Sequence, residues 1–192
     1  MKVAAAQISC APGDLNVNIA KVRGFASVAK NSKVVAKYRK THLVSAAPIE
    51  QRNCFTPGYE FTCTTVAGIR IGLSICYDLR FPEMCRTLTL DHKVNVFINS
   101  FAWPSVRVEH LRLLALARAI ENQNYLILAN RVGTDEDVTF CGTSAIIDPY
   151  GAIVAAASVD REELIQAEIS ENVIKSVRSR MAVFDHRRPD LY

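Results

Sequence analysis

The chain has 192 residues, 49% of them hydrophobic, and its 23 basic and 19 acidic side chains leave a net charge of +4. That length suits one domain with a substantial core, and the mild charge, with no Lys/Arg block or basic stripe interleaved with aromatics, excludes an obvious nucleic-acid partner. No apolar run approaches a membrane span and Met1-Lys2-Val3 leads straight into a strand pattern, so a cytoplasmic protein with no membrane partner is expected.

In chain order, residues 2–9 (KVAAAQIS) read as a strand of small and apolar residues suited to the middle of a tight sheet. Pro12-Gly13-Asp14 is a turn, and residues 15–30 form a helix with Ile19, Val22, Ala26 and Ala29 on one face. A break at Asn31-Ser32 precedes a short strand over 33–38 (KVVAKY), which exits through Arg39-Lys40-Thr41-His42-Leu43 into a loop holding Pro48, Glu50 and Phe55-Thr56-Pro57-Gly58. Strands at 61–66 and 69–75 flank Ala67-Gly68 as a hairpin. A helix starts near Pro82, a residue with no N–H to lose in a first turn. A strand over 94–99 then ends in Ser100-Phe101-Ala102-Trp103-Pro104. Residues 110–123 are the clearest helix, with Leu111, Leu114, Ala115, Arg118, Ala119 and Asn122 at three- and four-residue intervals. Strands at 125–129, 144–147, 152–156 and 164–169 and a helix over 171–180 complete a layered α/β domain.

The stretch with the most chemical content is 69–83. Ile69, Ile71, Leu73 and Ile75 alternate with Arg70, Gly72 and Ser74, so a half-buried strand stops on Cys76 and turns into the helix at Pro82. A thiol at a strand end sits near unpaired backbone N–H groups and the positive end of a helix, which lower its pKa and can hold an oxyanion. Free cysteines are equally often buried packing groups, so this stretch alone leaves a nucleophile and a structural cysteine evenly matched. The six cysteines (Cys10, Cys54, Cys63, Cys76, Cys85, Cys141) form no C-x-x-C pair, which argues against disulfides and zinc. None of the four histidines pairs evidently with Cys76, leaving Lys40 at a strand exit and Glu50 beyond it as partners.

Tyr38-Arg39-Lys40-Thr41-His42-Leu43, then Glu50 with Phe55-Thr56-Pro57-Gly58, then Gly72-Leu73-Ser74-Ile75-Cys76-Tyr77-Asp78-Leu79-Arg80-Phe81-Pro82-Glu83 closely resemble the nitrilase (carbon–nitrogen hydrolase) superfamily. Ala117-Arg118-Ala119-Ile120-Glu121-Asn122-Gln123, Asn130-Arg131-Val132-Gly133, Asp148-Pro149-Tyr150-Gly151 and Arg188-Pro189-Asp190-Leu191-Tyr192 follow in the family's order, so nearly the whole chain takes part. The resemblance implies a four-layer α-β-β-α sandwich and cofactor-free, metal-free hydrolysis of a small carboxamide through an acyl-thioester on Cys76. It implies that Lys40 steadies the oxyanion together with the backbone N–H of Tyr77, and that Glu50 positions Lys40. Trp103 and the strand tip Asn99-Ser100-Phe101-Ala102 would line the substrate pocket with Tyr77. Asp78, Arg80 and Glu83 would form an ion network around the turn, with Glu121 and Asn122 as supports. A homodimer or larger homo-oligomer is the expected assembly.

The phrase carrying the family's general-base glutamate, an apolar strand running into Phe-Pro-Glu, is absent between the first helix and the Tyr38 motif. Residues 1–192 therefore read as a single hydrolase domain missing a segment near 30–31, either lost from the protein or omitted from the chain. Alternative activities are N-carbamoyl hydrolysis or acyl transfer on the same thioester; a catalytically inactive nitrilase-like binding protein is the reading from another class.

Overall fold

The computed structural model describes residues 1–11, 14–28, 34–46 and 49–191. The elements are β1 (Lys2–Ser9), α1 (Leu15–Val28), β2 (Ser45–Ala46), β3 (Ile49–Glu50), β4 (Thr62–Val66), β5 (Ile69–Ile75), α2 (Pro82–Leu90), β6 (Val96–Phe101) and α3 (Val108–Asn122). They continue with β7 (Tyr125–Val132), β8 (Thr134–Asp135), β9 (Val138–Thr139), β10 (Ala145–Ile147), β11 (Ile153–Ala156), β12 (Glu163–Glu168) and α4 (Glu171–Arg180).

Six strands form a sheet in the order β11-β10-β7-β6-β5-β4, and β1 with β12 form an antiparallel pair joined to β7 by a short parallel ladder at Ile8–Ser9. The centre of the six-stranded sheet is parallel, β5 to β6 to β7. Those strands are apolar on both faces because both are covered. On one face Phe97, Leu126 and Leu128 pack with Met84 and Leu88 of α2 and with Leu111, Ala115 and Ala119 of α3. On the other, Ile69, Ile71, Val96, Tyr125 and Ile127 meet Ala5 of β1, Ile165 of β12 and Ile174 of α4. The chain is thus a layered α/β sandwich, with a six-stranded and a two-stranded β layer.

Local signals explain the well-placed elements. Ala67 and Gly68 both have positive φ, 48° and 80°, the geometry of a tight hairpin between β4 and β5. Pro82 opens α2, and Ser170 caps α4 by accepting the Asn172 N–H at 3.2 Å. Leu111, Ala115, Arg118, Ala119 and Asn122 are the buried stripe of α3, which ends in a left-handed Gln123.

Other expectations need correction. Residues 34–38 of the expected 33–38 strand run without regular structure: among the described residues no neighbouring strand offers them a ladder, and Tyr38 is tied to the sheet end through its hydroxyl instead. The strand expected at 94 begins at Val96, with Val94 and Asn95 in the connection before it. On α1, Ile19 and Val22 are exposed, as are Leu15 and Val17, so these apolar residues lack the cover they were expected to find. The turn at Pro12-Gly13, the helix end at 29–30, the break at Asn31-Ser32, the start of the strand at Lys33 and Pro48 lie outside the described residues, as do the side chains of Ala26 and Ala29.

Candidate active site

The parallel register brings three strand ends together: Ile75 lies opposite Ser100, and Phe101 opposite Asn130. The carboxyl ends of parallel strands are the usual place for a ligand in such sheets, because the chain leaves the sheet there in loops that are free to diverge. Cys76 follows Ile75 directly and has a φ of 49°, a left-handed conformation that costs a non-glycine residue about 1–3 kcal/mol and persists only where its surroundings impose it.

Those surroundings are polar and specific. The Cys76 N–H donates to Asn99 Oδ1 at 3.0 Å, Asn99 Nδ2 donates to Ser74 Oγ at 2.9 Å, and Ser74 Oγ donates to the Ile98 carbonyl at 3.1 Å. One turn later, fully buried Asp78 accepts from the Ile75 N–H (2.8 Å), the Tyr38 hydroxyl (2.8 Å) and the His42 N–H (3.1 Å), and pairs with His42 Nδ1 at 2.8 Å. The carboxylate thereby pins the Tyr38–His42 segment against the strand end. From α3, buried Arg118 donates to the carbonyls of Leu79 and Arg80 and pairs with Glu121 at 2.8 Å, while Asn122 donates to the Arg118 carbonyl. Burial pushes the Cys76 thiol up, opposed by the Lys40 charge and by the nearby backbone N–H groups of Ala102 and Tyr77.

Lys40 arrives on the irregular segment. Its carbonyl accepts the Gly58 N–H at 2.8 Å, and a side chain at residue 58 would come within 2.3 Å of the Arg39 carbonyl oxygen, so only glycine lets the two segments cross here. Burial lowers the Lys40 pKa, and Cys76 and Asp78 oppose that shift. Its ammonium donates to Gln51 Oε1 at 2.8 Å, and the same oxygen accepts the Val44 N–H at 3.0 Å. Glu50 does not join this contact: its carboxylate is exposed and accepts from Ser45 Oγ at 2.7 Å. β3 ends at Glu50 and Gln51 opens a one-turn 3-10 helix over Gln51–Asn53, so the change of backbone direction between them turns Gln51 to the lysine and leaves Glu50 facing outward.

Lys40, Gln51, Cys76, Tyr77, Ser100, Ala102 and Trp103 border one cavity of about 770 Å³. Trp103 is buried, held by its backbone N–H on Asn130 Oδ1 (3.0 Å) and its indole N–H on the Arg107 carbonyl (2.7 Å). Of the expected ion network, Asp78 alone lies beneath the turn. Arg80 stacks over Trp103 with its guanidinium carbon 4.7 Å from the ring centroid, and Glu83 borders a separate groove between α2 and the C-terminal segment. Sequence reasoning missed Gln51, whose only signal is its place beside Glu50; it placed Asn99 at the strand tip as a pocket residue, whereas Asn99 is buried and holds the Cys76 N–H from beneath. Among the described residues no group of three or more His, Cys, Asp or Glu side chains is arranged to hold a metal ion.

The family model for carbon-nitrogen hydrolase matches residues 18–179. The chain is 37% identical over 164 residues to a 2-oxoglutaramate amidase of Bacillus subtilis (strain 168), covering 85% of this chain and 61% of that protein. It is 39% identical over 173 residues to a deaminated glutathione amidase of Rattus norvegicus, covering 84% of this chain and 52% of that protein. It therefore spans only about half to three-fifths of the length of these curated relatives. Among solved structures, Saccharomyces cerevisiae Nit3, a member of branch 10 of the nitrilase superfamily, matches with a TM-score of 0.70 at 33% identity, over 81% of this chain and 56% of that one. A strand-end cysteine under backbone amides, the lysine beside it and these matches lead to one conclusion: the chain belongs to the carbon–nitrogen hydrolase family of the nitrilase superfamily.

Proposed function

We propose that this chain is a single-domain amidase cleaving a small carboxamide through a thioester on Cys76. The observation that carries this reading is that Cys76, on its left-handed turn at the strand end, borders one cavity with Lys40, Tyr77 and Ala102. The thiolate attacks the amide carbonyl carbon, and the oxygen that takes the electron pair is stabilised by the cation and by the Tyr77 N–H. Collapse breaks the carbon–nitrogen bond, and ammonia leaves carrying the proton that the thiol gave up. Water then attacks the thioester, the carbon–sulfur bond breaks, and acid and free thiol are released. Gln51, in place of Glu50, holds Lys40. The relatives named as amidases support this choice of reaction over N-carbamoyl hydrolysis and acyl transfer.

No carboxylate borders the cavity among the described residues, which favours a second reading as a nitrilase-like binding protein without turnover. One experiment separates the two. Intact-mass analysis during incubation with a panel of carboxamides is expected to show a transient acyl adduct, with acid accumulating, and both are expected to vanish in Cys76→Ala. Absence of both from the unaltered protein, or their survival in the variant, overturns the amidase reading.

We also infer a cytoplasmic homo-oligomer. Exposed Leu113 and Ile120 on α3 support self-association, and no helix among the described residues is long and apolar enough to cross a membrane.

A further inference from the structure

Cleaving an amide through a thioester requires a proton to leave the thiol and reach the departing nitrogen, and another to leave the attacking water and return to the sulfur. Of the side chains that border the cavity, Arg80 and Arg107 donate hydrogen bonds and accept none, and Lys40 is engaged as a donor to Gln51 Oε1 at 2.8 Å. No carboxylate borders the space among the described residues, but His110 does. Imidazole is the side chain suited to taking and giving a proton near neutral pH. The chain's four histidines are placed differently. His42 pairs through Nδ1 with Asp78 at 2.8 Å and stacks on Phe81 at 3.8 Å between ring centroids. His186 borders the separate groove beside α2, and His92 lies in the connection after α2, where its carbonyl accepts from Arg70. His110 alone shares the cavity with Cys76, and its ring has no hydrogen-bond partner among the described residues. Its place is set by the backbone. The Arg107 N–H donates to the Pro104 carbonyl at 3.0 Å, and the Trp103 indole holds the Arg107 carbonyl at 2.7 Å. α3 starts at the next residue, so His110 stands in its first turn just beyond that anchor, while neighbouring Glu109 is paired with Arg112 at 2.9 Å.

We propose that His110 carries the protons of the Cys76 reaction. This rests on the amidase reading above and adds the group that accepts and returns the proton. In the first half, the imidazole takes the proton from the thiol, the sulfur bonds to the amide carbon, and the imidazolium gives that proton to the nitrogen as the carbon–nitrogen bond breaks and ammonia leaves. In the second half, the imidazole takes a proton from water as the water oxygen bonds to the thioester carbon. The imidazolium returns it to the sulfur as the carbon–sulfur bond breaks, so thiol and imidazole end as they began. A water occupies about 30 Å³ in the liquid, so a cavity of about 770 Å³ holds a small amide and several waters, through which the proton passes between sulfur and ring. Lys40 keeps its charge for the oxyanion in both halves.

The test uses two variants of the full chain and the best carboxamide of the panel above. His110→Gln keeps a polar side chain of similar size that carries no proton, and is expected to lower kcat by about 10²-fold or more with KM little changed. His110→Ala is expected to lose as much and to regain at least tenfold when free imidazole is added, a rescue that a purely structural histidine does not give. The side chain is exposed, and thermal melting verifies that both variants are folded. A His110→Gln rate within about threefold of the unaltered protein, or a loss in His110→Ala that imidazole leaves untouched, overturns the proposal while the amidase reading stands. If the unaltered protein turns over no carboxamide, the amidase reading fails on its own, and alkylation of Cys76 by iodoacetamide at neutral pH, followed by the mass of the Cys76 peptide, then decides this proposal. Labelling about tenfold slower in His110→Gln upholds the transfer from thiol to imidazole, and equal or faster labelling overturns it.

Discussion

The two halves of the site are built in opposite ways. The cysteine half is nearly self-contained: β5 ends, Cys76 takes its strained turn, and within three residues Asp78 folds back onto the Ile75 N–H. The lysine half has no regular structure of its own. Lys40 is placed by a glycine crossing at residue 58, by one amide at Gln51 and by Tyr38, Thr41 and His42 clamped on Asp78. A nucleophile can thus be fixed by a strand and the turn that follows it, whereas its cation has to be fixed by contacts distant in sequence. Asp78 serves both halves.

Substitutions at each part make this contrast measurable. Lys40→Met is expected to have the largest effect, a loss of about 10²–10³ in kcat with the melting temperature hardly changed, since it removes the cation and leaves the cysteine turn in place. A comparable loss of stability would show that the lysine is mainly structural. Asp78→Asn tests the shared support: an amide nitrogen now faces N–H donors in a dry site, so unfolding free energy should fall by about 1–3 kcal/mol in denaturant titration, and activity with it. If Asp78→Asn alters neither, the two halves are independent.

Gln51→Leu removes the amide that holds the lysine and is expected to cost about tenfold in kcat, with KM little changed, through misplacement alone. Gln51→Glu supplies a readout that packing does not mimic. Cys76 is raised by burial, so the rate climbs with pH through the thiol's ionisation. Lys40 is lowered by burial, so the alkaline fall comes earlier than for an ordinary lysine. A carboxylate on Lys40 favours its charged form, and the alkaline limb of kcat/KM is expected to move up by about one pH unit. The smallest effect belongs to Glu162, far from the site. Its hydrogen bonds with Lys21 and Ser9 hold it down to about 2, so its contribution is present at neutral pH and is lost as the pH falls toward that value. Glu162→Gln should cost less than about 1 kcal/mol near neutrality, because the pair is exposed, and match the unaltered protein in acid unfolding near pH 2.

The same contrast explains what the sequence disclosed. β5, α2 and α3 were legible because their periodicity and their punctuation at Ala67-Gly68 and Pro82 are local, and Cys76 lies where one period gives way to another. The 34–50 region has neither signal. Val34 and Val35 are β-branched, but a strand requires a neighbour and these residues have none among the described residues, so propensity misled. The slip from Gln51 to Glu50 has the same root: in a loop without a repeat, one position decides which side chain faces the lysine, and a carboxylate is the more conspicuous of the two. Asn99 was visible as a strand-tip residue, but its bond to the Cys76 N–H depends on the parallel register of β5 and β6.

The left-handed backbone at residue 76 also sets durability against chemistry. Glycine would occupy that conformation without penalty and asparagine with little, whereas a thiol bears the steric burden in every folded molecule, working or idle. Selection for heat tolerance alone would therefore discard the sulfur, and only a use for the thiol gives the chain a reason to keep a less comfortable residue at the tip of its sheet.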